Sequence, residues 1–314
     1  MMEIVARERR GPILTPSSIP CLRSLPTINI TQGCSLGCTY CYIKSYRDYP
    51  GPDRVVLFTN TAALVAEELK RKRKRPERVY FSPSSDAFQY LAEVQQATYE
   101  TMRALLDAGV EVAFLTKGFV TDRFLGLFEK HAHLVHAQVG LTSLDHTIWR
   151  TLEPRTSPPD HRVQTMRALV SIKLRVTARL DPLIPDVTDA SPAVDSLLEA
   201  ISASGVTFAA ASYMFLRPAF AKILASTLKR LQPDQQPEEW SYQEFTDGRS
   251  GGQSIGEQER RERFARLADI GRQYGITVSP CRCKNPGLAD GSCHIAGSVH
   301  RPTSIAVQPD LPFA

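Results

Sequence analysis

The chain has 314 residues, of which 42% are hydrophobic and 23% charged, and its formal net charge at pH 7 is +5. This composition is that of an ordinary globular protein and excludes a disordered or collagen-like chain. Because the sequence has no run of 18 apolar residues and no signal-like N-terminus, we expect a cytoplasmic protein with no membrane partner. So small a net charge permits a polyanionic partner such as nucleic acid without requiring one.

Strand-like and helical segments alternate along the first two thirds of the chain. Runs of β-branched and aromatic residues predict strands at 27–30, 79–81, 110–116, 134–141, 176–183 and 208–216. Apolar residues at helical spacing predict helices at 61–70, 94–106, 121–130, 162–172 and 192–202. Six strands that alternate with helices predict an α/β fold whose parallel sheet is covered by helices.

The composition divides the chain into three predicted regions. Residues 1–25 contain several prolines and little periodicity, which predicts an arm lying on the core formed by residues 26–216. Residues 217–314 are expected to be a C-terminal extension. Within it, residues 232–256 are rich in Pro, Gln, Glu, Gly and Ser, which predicts a loop or mobile lid. A charged amphipathic helix and a short strand are expected after it, at 257–274 and 276–278.

Three cysteines with the spacing Cys-x3-Cys-x2-Cys follow the first predicted strand: Cys34, Cys38 and Cys41. Gly33 and Gly37 allow the backbone to turn tightly, so that the three sulfurs can face one point. A cubane iron–sulfur cluster held by three thiolates keeps one iron open to a small molecule. Structural zinc usually has four protein ligands, and a disulfide would leave one of three cysteines over. We therefore predict a [4Fe-4S] cluster.

This spacing, with an aromatic residue before the last cysteine, resembles the radical S-adenosylmethionine (SAM) superfamily. The resemblance implies that the open iron chelates the amino and carboxylate groups of SAM. It also implies that one electron splits SAM into methionine and a 5′-deoxyadenosyl radical, which takes a hydrogen atom from the substrate. An electron donor such as flavodoxin or ferredoxin is then an expected partner.

Polar residues follow the later predicted strands, at the edge where the sites of barrel-like parallel sheets lie. We predict that six of them contact SAM: Ser84, Ser85, Asp86, Lys117, Thr142 and Ser143. Turn chemistry, helix capping or solvent exposure would explain the same residues without a ligand. Arg179 and Asp181 lie in the apolar fifth strand, where charges are rarely buried unpaired. For Arg179, a catalytic role and a core ion pair are the two alternatives.

Four stretches of the sequence point to a particular family within this superfamily. They are Cys38-Thr39-Tyr40-Cys41-Tyr42, Ser84-Ser85-Asp86, Leu115-Thr116-Lys117 and Leu152-Glu153-Pro154-Arg155-Thr156-Ser157-Pro158. Together they resemble the spore photoproduct lyase family and its bacterial relatives, a DNA repair-like group. The resemblance implies a partial (β/α)6 barrel of radical SAM type. It also implies that the substrate is a nucleobase, a nucleotide or nucleic acid.

The sequence departs from that family at one position. In these lyases, a cysteine returns a hydrogen atom to the product radical. The matching position in this chain is occupied by Pro83 or Ser82. We therefore expect no efficient lyase reaction on spore photoproduct. Tyr40 and Tyr42 match the family and are candidate catalytic relays for the hydrogen atom, or else they pack beside the cluster.

A second group of cysteines lies in the C-terminal extension: Cys281, Cys283 and Cys293. With Cys21 or His294 as fourth ligand, or with an open iron, they could hold an auxiliary iron–sulfur cluster. A zinc site and free buried cysteines are the alternatives. An auxiliary cluster would suit the alternative function, a radical SAM maturase of a peptide or small molecule.

Overall fold

A computed structural model describes residues 2–17, 22–231, 242–246, 251–282, 284–285 and 287–288. The strands are β1 (Glu3–Arg7), β2 (Thr15–Pro16), β3 (Pro26–Ile28), β4 (Thr31–Gln32), β5 (Arg54–Phe58), β6 (Arg78–Phe81), β7 (Glu111–Thr116), β8 (Val135–Gly140), β9 (Arg175–Leu183), β10 (Phe208–Tyr213), β11 (Tyr242–Thr246), β12 (Gly251–Ile255) and β13 (Thr277–Pro280). The α-helices are α1 (Thr61–Arg71), α2 (Ala92–Asp107), α3 (Asp122–Lys130), α4 (His146–Leu152), α5 (Pro159–Ser171), α6 (Ser191–Ala203), α7 (Pro218–Leu231) and α8 (Glu257–Gln273).

The main sheet has eight strands within the described residues, in the order β13-β10-β9-β8-β7-β6-β3-β2. All neighbouring pairs are parallel except β2 and β3. The six strands predicted for the core are β3 and β6 to β10, and they run across the sheet in chain order. The predicted α/β fold with a mostly parallel sheet is therefore confirmed, and it is consistent with the partial barrel. The predicted strand near residue 277 is β13, a seventh parallel strand.

The two faces of the sheet differ because neighbouring residues of a strand point to opposite sides. In β7, Val112 and Phe114 belong to the main hydrophobic core, together with Met102 of α2. Between them in sequence, Ala113 packs in a separate small cluster with Tyr80 on the other face. Because the strands are parallel, their carboxyl ends meet at one edge, and the loops of the site lie there.

The N-terminal region differs from the predicted arm. β1 pairs in parallel with β5, and β4 pairs antiparallel with β5, which gives a separate three-stranded sheet. The apolar residues of β1, Ile4 and Val5, are too few to produce a periodic signal. A strand forms because β5, some 50 residues later in the chain, supplies the hydrogen-bonding partner.

The extension also differs from its prediction. Instead of a loop, residues 242–246 and 251–255 pair as the antiparallel strands of a hairpin. Gly252 is required there because a Cβ would lie 2.7 Å from the Leu216 carbonyl oxygen, and the neighbouring Gln253 exchanges two backbone hydrogen bonds with Leu216. The glycine that suggested a mobile segment therefore permits close packing. Helix α8 is confirmed, whereas α4 and α7 were not predicted.

None of the helices in the described part of the chain is both long and apolar enough to cross a membrane.

Candidate active site

The cysteine loop (residues 33–42) follows β3 and β4 at the carboxyl edge of the main sheet. Gly33 and Gly37 have φ angles of +81° and +68°, a conformation that favours glycine. The backbone N–H of Cys41 donates to the Cys38 carbonyl at 3.3 Å, which closes a tight turn. All three predicted ligands are partly buried and form no disulfide: Cys34, Cys38 and Cys41.

A second segment, the strap (residues 152–157), lies against this loop. The backbone N–H of Thr39 donates to the Leu152 carbonyl at 2.9 Å, and the Tyr40 hydroxyl donates to the Glu153 carboxylate. The strap is part of the Leu-Glu-Pro-Arg-Thr-Ser-Pro run that supports the family resemblance. Its contacts show that it holds the cysteine loop in place.

Arg155 of the strap reaches the glycine between the first two cysteines. A Cβ on Gly37 would lie 2.7 Å from the Arg155 guanidinium, so the absence of a side chain makes room for this cation. The guanidinium is held by the Asp53 carboxylate at 3.1 Å and by the Pro52 carbonyl at 3.0 Å. A fixed positive charge therefore lies beside the loop, and the sequence analysis assigned Arg155 no role.

Glu153 is the centre of a buried charge network. Its carboxylate lies 2.5 Å from Arg162 and 3.1 Å from Lys117, and its side chain is only 3% exposed. Burial alone would raise the pKa of Glu153, but the charges of Arg162 and Lys117 and the Tyr40 hydroxyl lower it to about 2. The Glu153 carboxylate is therefore ionised at neutral pH.

Lys117, a predicted SAM contact, is held by other groups of the protein. Its Nζ donates to the Tyr40 hydroxyl at 2.6 Å and to the Asp181 carbonyl at 2.8 Å. Its aliphatic part lies on Gly140, where a Cβ would be 2.6 Å from the lysine Cε. The lysine thus links the ends of β7, β8 and β9 to the cysteine loop, and its first role is to position that loop.

The chemistry of the three thiols fits an iron–sulfur cluster. Burial raises the pKa of all three, for Cys38 to about 12 and for Cys34 well above its ordinary value. The nearby Glu153 carboxylate adds to the effect at Cys38, and Lys117 opposes it. A bound metal centre would supply the positive charge that converts such thiols to thiolates.

Zinc is the other metal considered for this loop. Across the described residues, no three Cys, His, Asp or Glu side chains converge on a position for a single metal ion. A cubane cluster, in which three of the four irons are each bound by a different thiolate, does not need that convergence. The arrangement therefore favours the cluster over a single zinc ion.

The turn after β6 carries three of the predicted SAM contacts. Asp86 is buried, and its carboxylate accepts from the Thr116 hydroxyl, the Phe88 N–H and the Lys117 N–H, each at 2.8 Å. It thereby ties this turn to the end of β7. Within the described residues, the buried Ser85 hydroxyl has no hydrogen-bond partner, and neither does the buried Ser82 hydroxyl at the start of the turn. We therefore favour Ser84 and Ser85 over Asp86 for contact with a ligand.

Gln89 is a site residue that the sequence analysis missed. Its side chain accepts from the Ser35 N–H at 2.6 Å and donates to the Thr31 hydroxyl at 2.8 Å. It is fully buried and joins the turn after β6 to the cysteine loop. No local pattern marks it, since a single glutamine near a helix start is unremarkable in sequence.

The turn after β8 holds the last two predicted SAM contacts, Thr142 and Ser143, and both are buried. The Ser143 hydroxyl accepts from the Asp145 N–H at 3.0 Å, and Asp145 in turn caps α4 by accepting from two of its N–H groups. Ser143 therefore has a turn role of the kind named as its alternative. The Thr142 hydroxyl forms no hydrogen bond to a protein group in the described part of the chain.

Arg179 forms a buried ion pair with Asp181 at 2.8 Å, as the core ion-pair alternative predicts. Asp181 also receives Lys284 at 2.8 Å, from the segment after β13. Burial would raise the pKa of Asp181, but Lys284 and Arg179 lower it. The pair lies at the end of β9, beside the carbonyl that Lys117 contacts. Arg179 is thus part of the site edge.

Tyr42 contacts Pro83, one of the two positions, with Ser82, that the sequence resemblance assigns to the cysteine of the lyases. Its hydroxyl donates to the Pro83 carbonyl, and its ring makes an edge contact with Tyr46, with centroids 5.8 Å apart. Burial raises the pKa of both Tyr40 and Tyr42 well above the ordinary value, so both phenols keep their protons. The structure therefore brings both predicted relays to the site edge.

Of the second cysteine group, the described residues include Cys281 only. It is fully buried at the end of β13, and its N–H donates to the Ala211 carbonyl at 2.7 Å. It is close enough to Asp181 for their charges to interact, so it lies at the same sheet edge as the site. Cys283 and Cys293, and the potential fourth ligands Cys21 and His294, lie outside the described residues.

A family model for the radical SAM superfamily matches residues 28–197, more than half of the chain. The chain belongs to the radical SAM superfamily. The match covers the cysteine loop, the strap and the strand ends that carry the site. Membership makes the protein a radical SAM enzyme and implies a [4Fe-4S] cluster and SAM as cofactors.

Several relatives match at the sequence level. An uncharacterized protein of Mycobacterium tuberculosis is 29% identical over 230 residues, which are 69% of this chain and 68% of the relative. A radical SAM Nα-GlyT isomerase of Pseudomonas phage M6 is 23% identical over 267 residues, covering 82% of this chain and 54% of the relative.

The fold is similar to that of solved structures. A spore photoproduct lyase variant with bound AdoMet and dinucleoside spore photoproduct has a TM-score of 0.64 at 16% identity, covering 88% of this chain and 81% of the lyase. Streptococcus suis SuiB bound to S-adenosylmethionine has a TM-score of 0.55 at 10% identity, covering 82% of this chain and 50% of SuiB.

Proposed function

We propose that this radical SAM enzyme abstracts a hydrogen atom from a nucleobase, presented as a nucleotide or within nucleic acid. The observation that carries the proposal is the extent of the structural similarity. It covers 88% of the chain, and the matching lyase structure holds AdoMet together with dinucleoside spore photoproduct. The phage relative named as an Nα-GlyT isomerase gives further support to radical chemistry in this group.

Cys34, Cys38 and Cys41 would hold the cluster, with one iron open. When bound, the cluster and SAM supply reductive cleavage to methionine and a 5′-deoxyadenosyl radical. The strap and Lys117 keep the cysteine loop in one conformation, because Thr39 and Tyr40 are both bonded to the strap. An electron donor such as flavodoxin or ferredoxin supplies the electron.

The polar groups at the strand ends would orient SAM. The buried Ser85 hydroxyl, which has no hydrogen-bond partner among the described residues, is suited to the SAM amino group, and Ser84 lies next to it. Thr142 and Ser143 at the end of β8 are suited to the ribose hydroxyls. Asp86 supports the serine turn through its three hydrogen bonds.

Tyr40 and Tyr42 are the proposed relays of the hydrogen atom, since no cysteine follows β6. Tyr42 is better placed of the two, because its hydroxyl donates to the carbonyl of Pro83, one of the two positions, with Ser82, that match the cysteine of the lyases. The Tyr40 hydroxyl is held between Glu153 and Lys117. Arg179 would act beside them on the negative charge of a substrate.

A second candidate function is that of a maturase of a peptide or small molecule with an auxiliary iron–sulfur cluster. It is favoured by the position of Cys281, which lies buried at the site edge and close to Asp181. Under this proposal Cys281 would bind the auxiliary cluster together with Cys283 and Cys293. The two candidates differ in the substrate that loses its hydrogen atom.

Deuterium transfer tests the proposal. Reconstituted, reduced enzyme is incubated with SAM and with perdeuterated thymidine dinucleotide, single-stranded oligonucleotide or a mixture of deuterated peptides. We expect deuterium in the 5′-deoxyadenosine from the nucleotides, and none from a variant with Cys34→Ala, Cys38→Ala and Cys41→Ala. Transfer from peptides alone would replace the proposal with the maturase. Recovery of thymines from spore photoproduct at lyase-like rates would contradict the expectation that this reaction is inefficient.

A further inference from the structure

A cavity of about 240 Å³ lies on the side of the cysteine loop that faces the small N-terminal sheet. Its lining includes Gly33 of the cysteine loop and Ser84 of the turn after β6. It also includes Arg9, which follows β1, and Phe58 at the end of β5. The cavity therefore borders the proposed SAM site, and no role has been assigned to it so far.

Arg9 is the cation of this cavity. Its guanidinium lies over the Phe58 ring at 3.8 Å and donates to the Asn29 carbonyl. Its backbone is fixed by Asn60, which accepts from the Arg9 N–H at 2.9 Å and donates to its carbonyl at 3.0 Å. The side chain is thus held in one position by stacking and hydrogen bonds.

This guanidinium lacks a counterion among the described residues. None of the ion pairs includes Arg9, and its buried Nε–H has no acceptor. Burial lowers its pKa to about 10, so it stays charged at neutral pH. A partly buried cation without an anion is costly, and an oxyanion in the cavity would relieve that cost.

The rest of the lining limits what the oxyanion can be. Tyr46 and Tyr49 present aromatic surface, and Tyr46 is 38% exposed. Asp48 brings one opposing carboxylate, but its side chain belongs to an exposed residue, so solvent screens it. One fixed guanidinium near the exposed Tyr46 ring is a combination that suits a phosphate flanked by a sugar and a base.

We propose that this cavity, the Arg9 pocket, binds a phosphodiester group of a nucleic-acid strand. The inference rests on the proposed function and narrows it, because it makes the substrate a strand rather than a free nucleoside. A phosphate on Arg9 would lie next to the turn that carries Ser84. The neighbouring nucleotide would then lie at the site edge, with Tyr46 available for stacking.

Binding is measured by fluorescence anisotropy on the cluster-loaded protein without SAM, with a labelled single-stranded oligothymidylate as probe. Arg9→Gln is expected to weaken binding about tenfold to a hundredfold, the range for losing one charge-assisted hydrogen bond. It should also reduce the slope of log affinity against log salt by about 0.7, the value for one phosphate contact on a single strand. The affinity of Arg9→Lys, which keeps the charge, should lie between the affinities of the wild type and of Arg9→Gln.

Arg10→Gln is the matched control, since Arg10 is the exposed neighbour and the change in net charge is the same. Equal effects of Arg9→Gln and Arg10→Gln would overturn the proposal, because they indicate non-specific attraction. Competition by inorganic phosphate as strong as that by the oligonucleotide would also overturn it in favour of a small-anion site. Melting temperatures are compared first, and if Arg9→Gln does not fold, the Arg9→Lys variant decides by the same criteria.

The binding assay separates this proposal from the proposed function. Arg9-dependent strand binding without deuterium transfer from nucleotides would support the pocket and contradict the function. Deuterium transfer from free nucleosides, with no strand binding, would support the function and overturn the pocket.

Discussion

The buried carboxylate of Glu153 makes the charge network of the strap testable. Glu153→Gln keeps the shape of the side chain but removes its charge. Lys117 and Arg162 would then be left buried without their shared counterion, and the Tyr40 hydroxyl would lose a charged acceptor. We expect the variant to be strongly destabilised, because an uncompensated buried charge is costlier than the pair that it replaces.

The magnitude follows from the pKa. A lowering of the Glu153 pKa from 4.5 to about 2 corresponds to about 3 kcal/mol of stability at neutral pH. Since the folded protein holds this proton more weakly than the unfolded chain, the contribution is fully present above pH 4.5 and is lost as the pH falls toward 2. The difference in free energy of unfolding between the wild type and Glu153→Gln should therefore be constant above about pH 5.5 and shrink below pH 4.5.

Urea unfolding of the cluster-free proteins, followed by circular dichroism, measures this difference at pH 7 and in steps down to about pH 3.5. Glu257→Gln is the control, because Glu257 is paired with Arg261 on the surface, with side chains 61% and 53% exposed. Such an exposed pair should contribute less than about 1 kcal/mol. A Glu153→Gln effect as small as the control, or one that does not change with pH, would refute the reasoning.

Other predictions concern the loop and the second cysteine group. Gly37→Ala should lower the iron content after reconstitution several-fold, because the new Cβ would lie 2.7 Å from the Arg155 guanidinium at a φ of +68°. Gly126→Ala in α3, which has nothing within 4 Å of its Cβ, should leave the iron content unchanged and slightly raise stability. Equal iron in the two variants would contradict the close packing of the loop. If the auxiliary cluster is present, we expect about eight irons per chain in the wild type. A triple alanine variant of Cys281, Cys283 and Cys293 should then hold about four. Equal iron and sulfide in wild type and triple variant would exclude it, and stoichiometric zinc would favour the structural alternative.

Local patterns were enough to predict the strands of the core and the cysteine loop. The six core strands are apolar runs bounded by turn residues, and the cysteines lie within eight residues of one another. A helical or strand period needs only neighbouring residues, and a short ligand motif needs only a flexible loop with Gly33 and Gly37. These features depend on the chain over a few residues, so the sequence alone carries them.

Features that depend on distant partners were missed or left open. The strand β1 requires β5, about 50 residues away, and the hairpin in the extension requires the backbone of Leu216. For Lys117 and Asp86 the sequence suggested SAM contacts, whereas their partners in the fold are Tyr40, Glu153 and the end of β7.

The sequence by itself determined the chemistry of the site, because three thiols in one short loop decide what that loop can bind. Only the tertiary structure decided how the loop is held. Glu153 and Arg155 come more than 100 residues after the cysteines, and they reach the loop because α4 ends beside it at the edge of the sheet. The same holds for Arg9, whose buried Nε–H has no acceptor among the described residues, a property of the folded chain that has no sequence pattern.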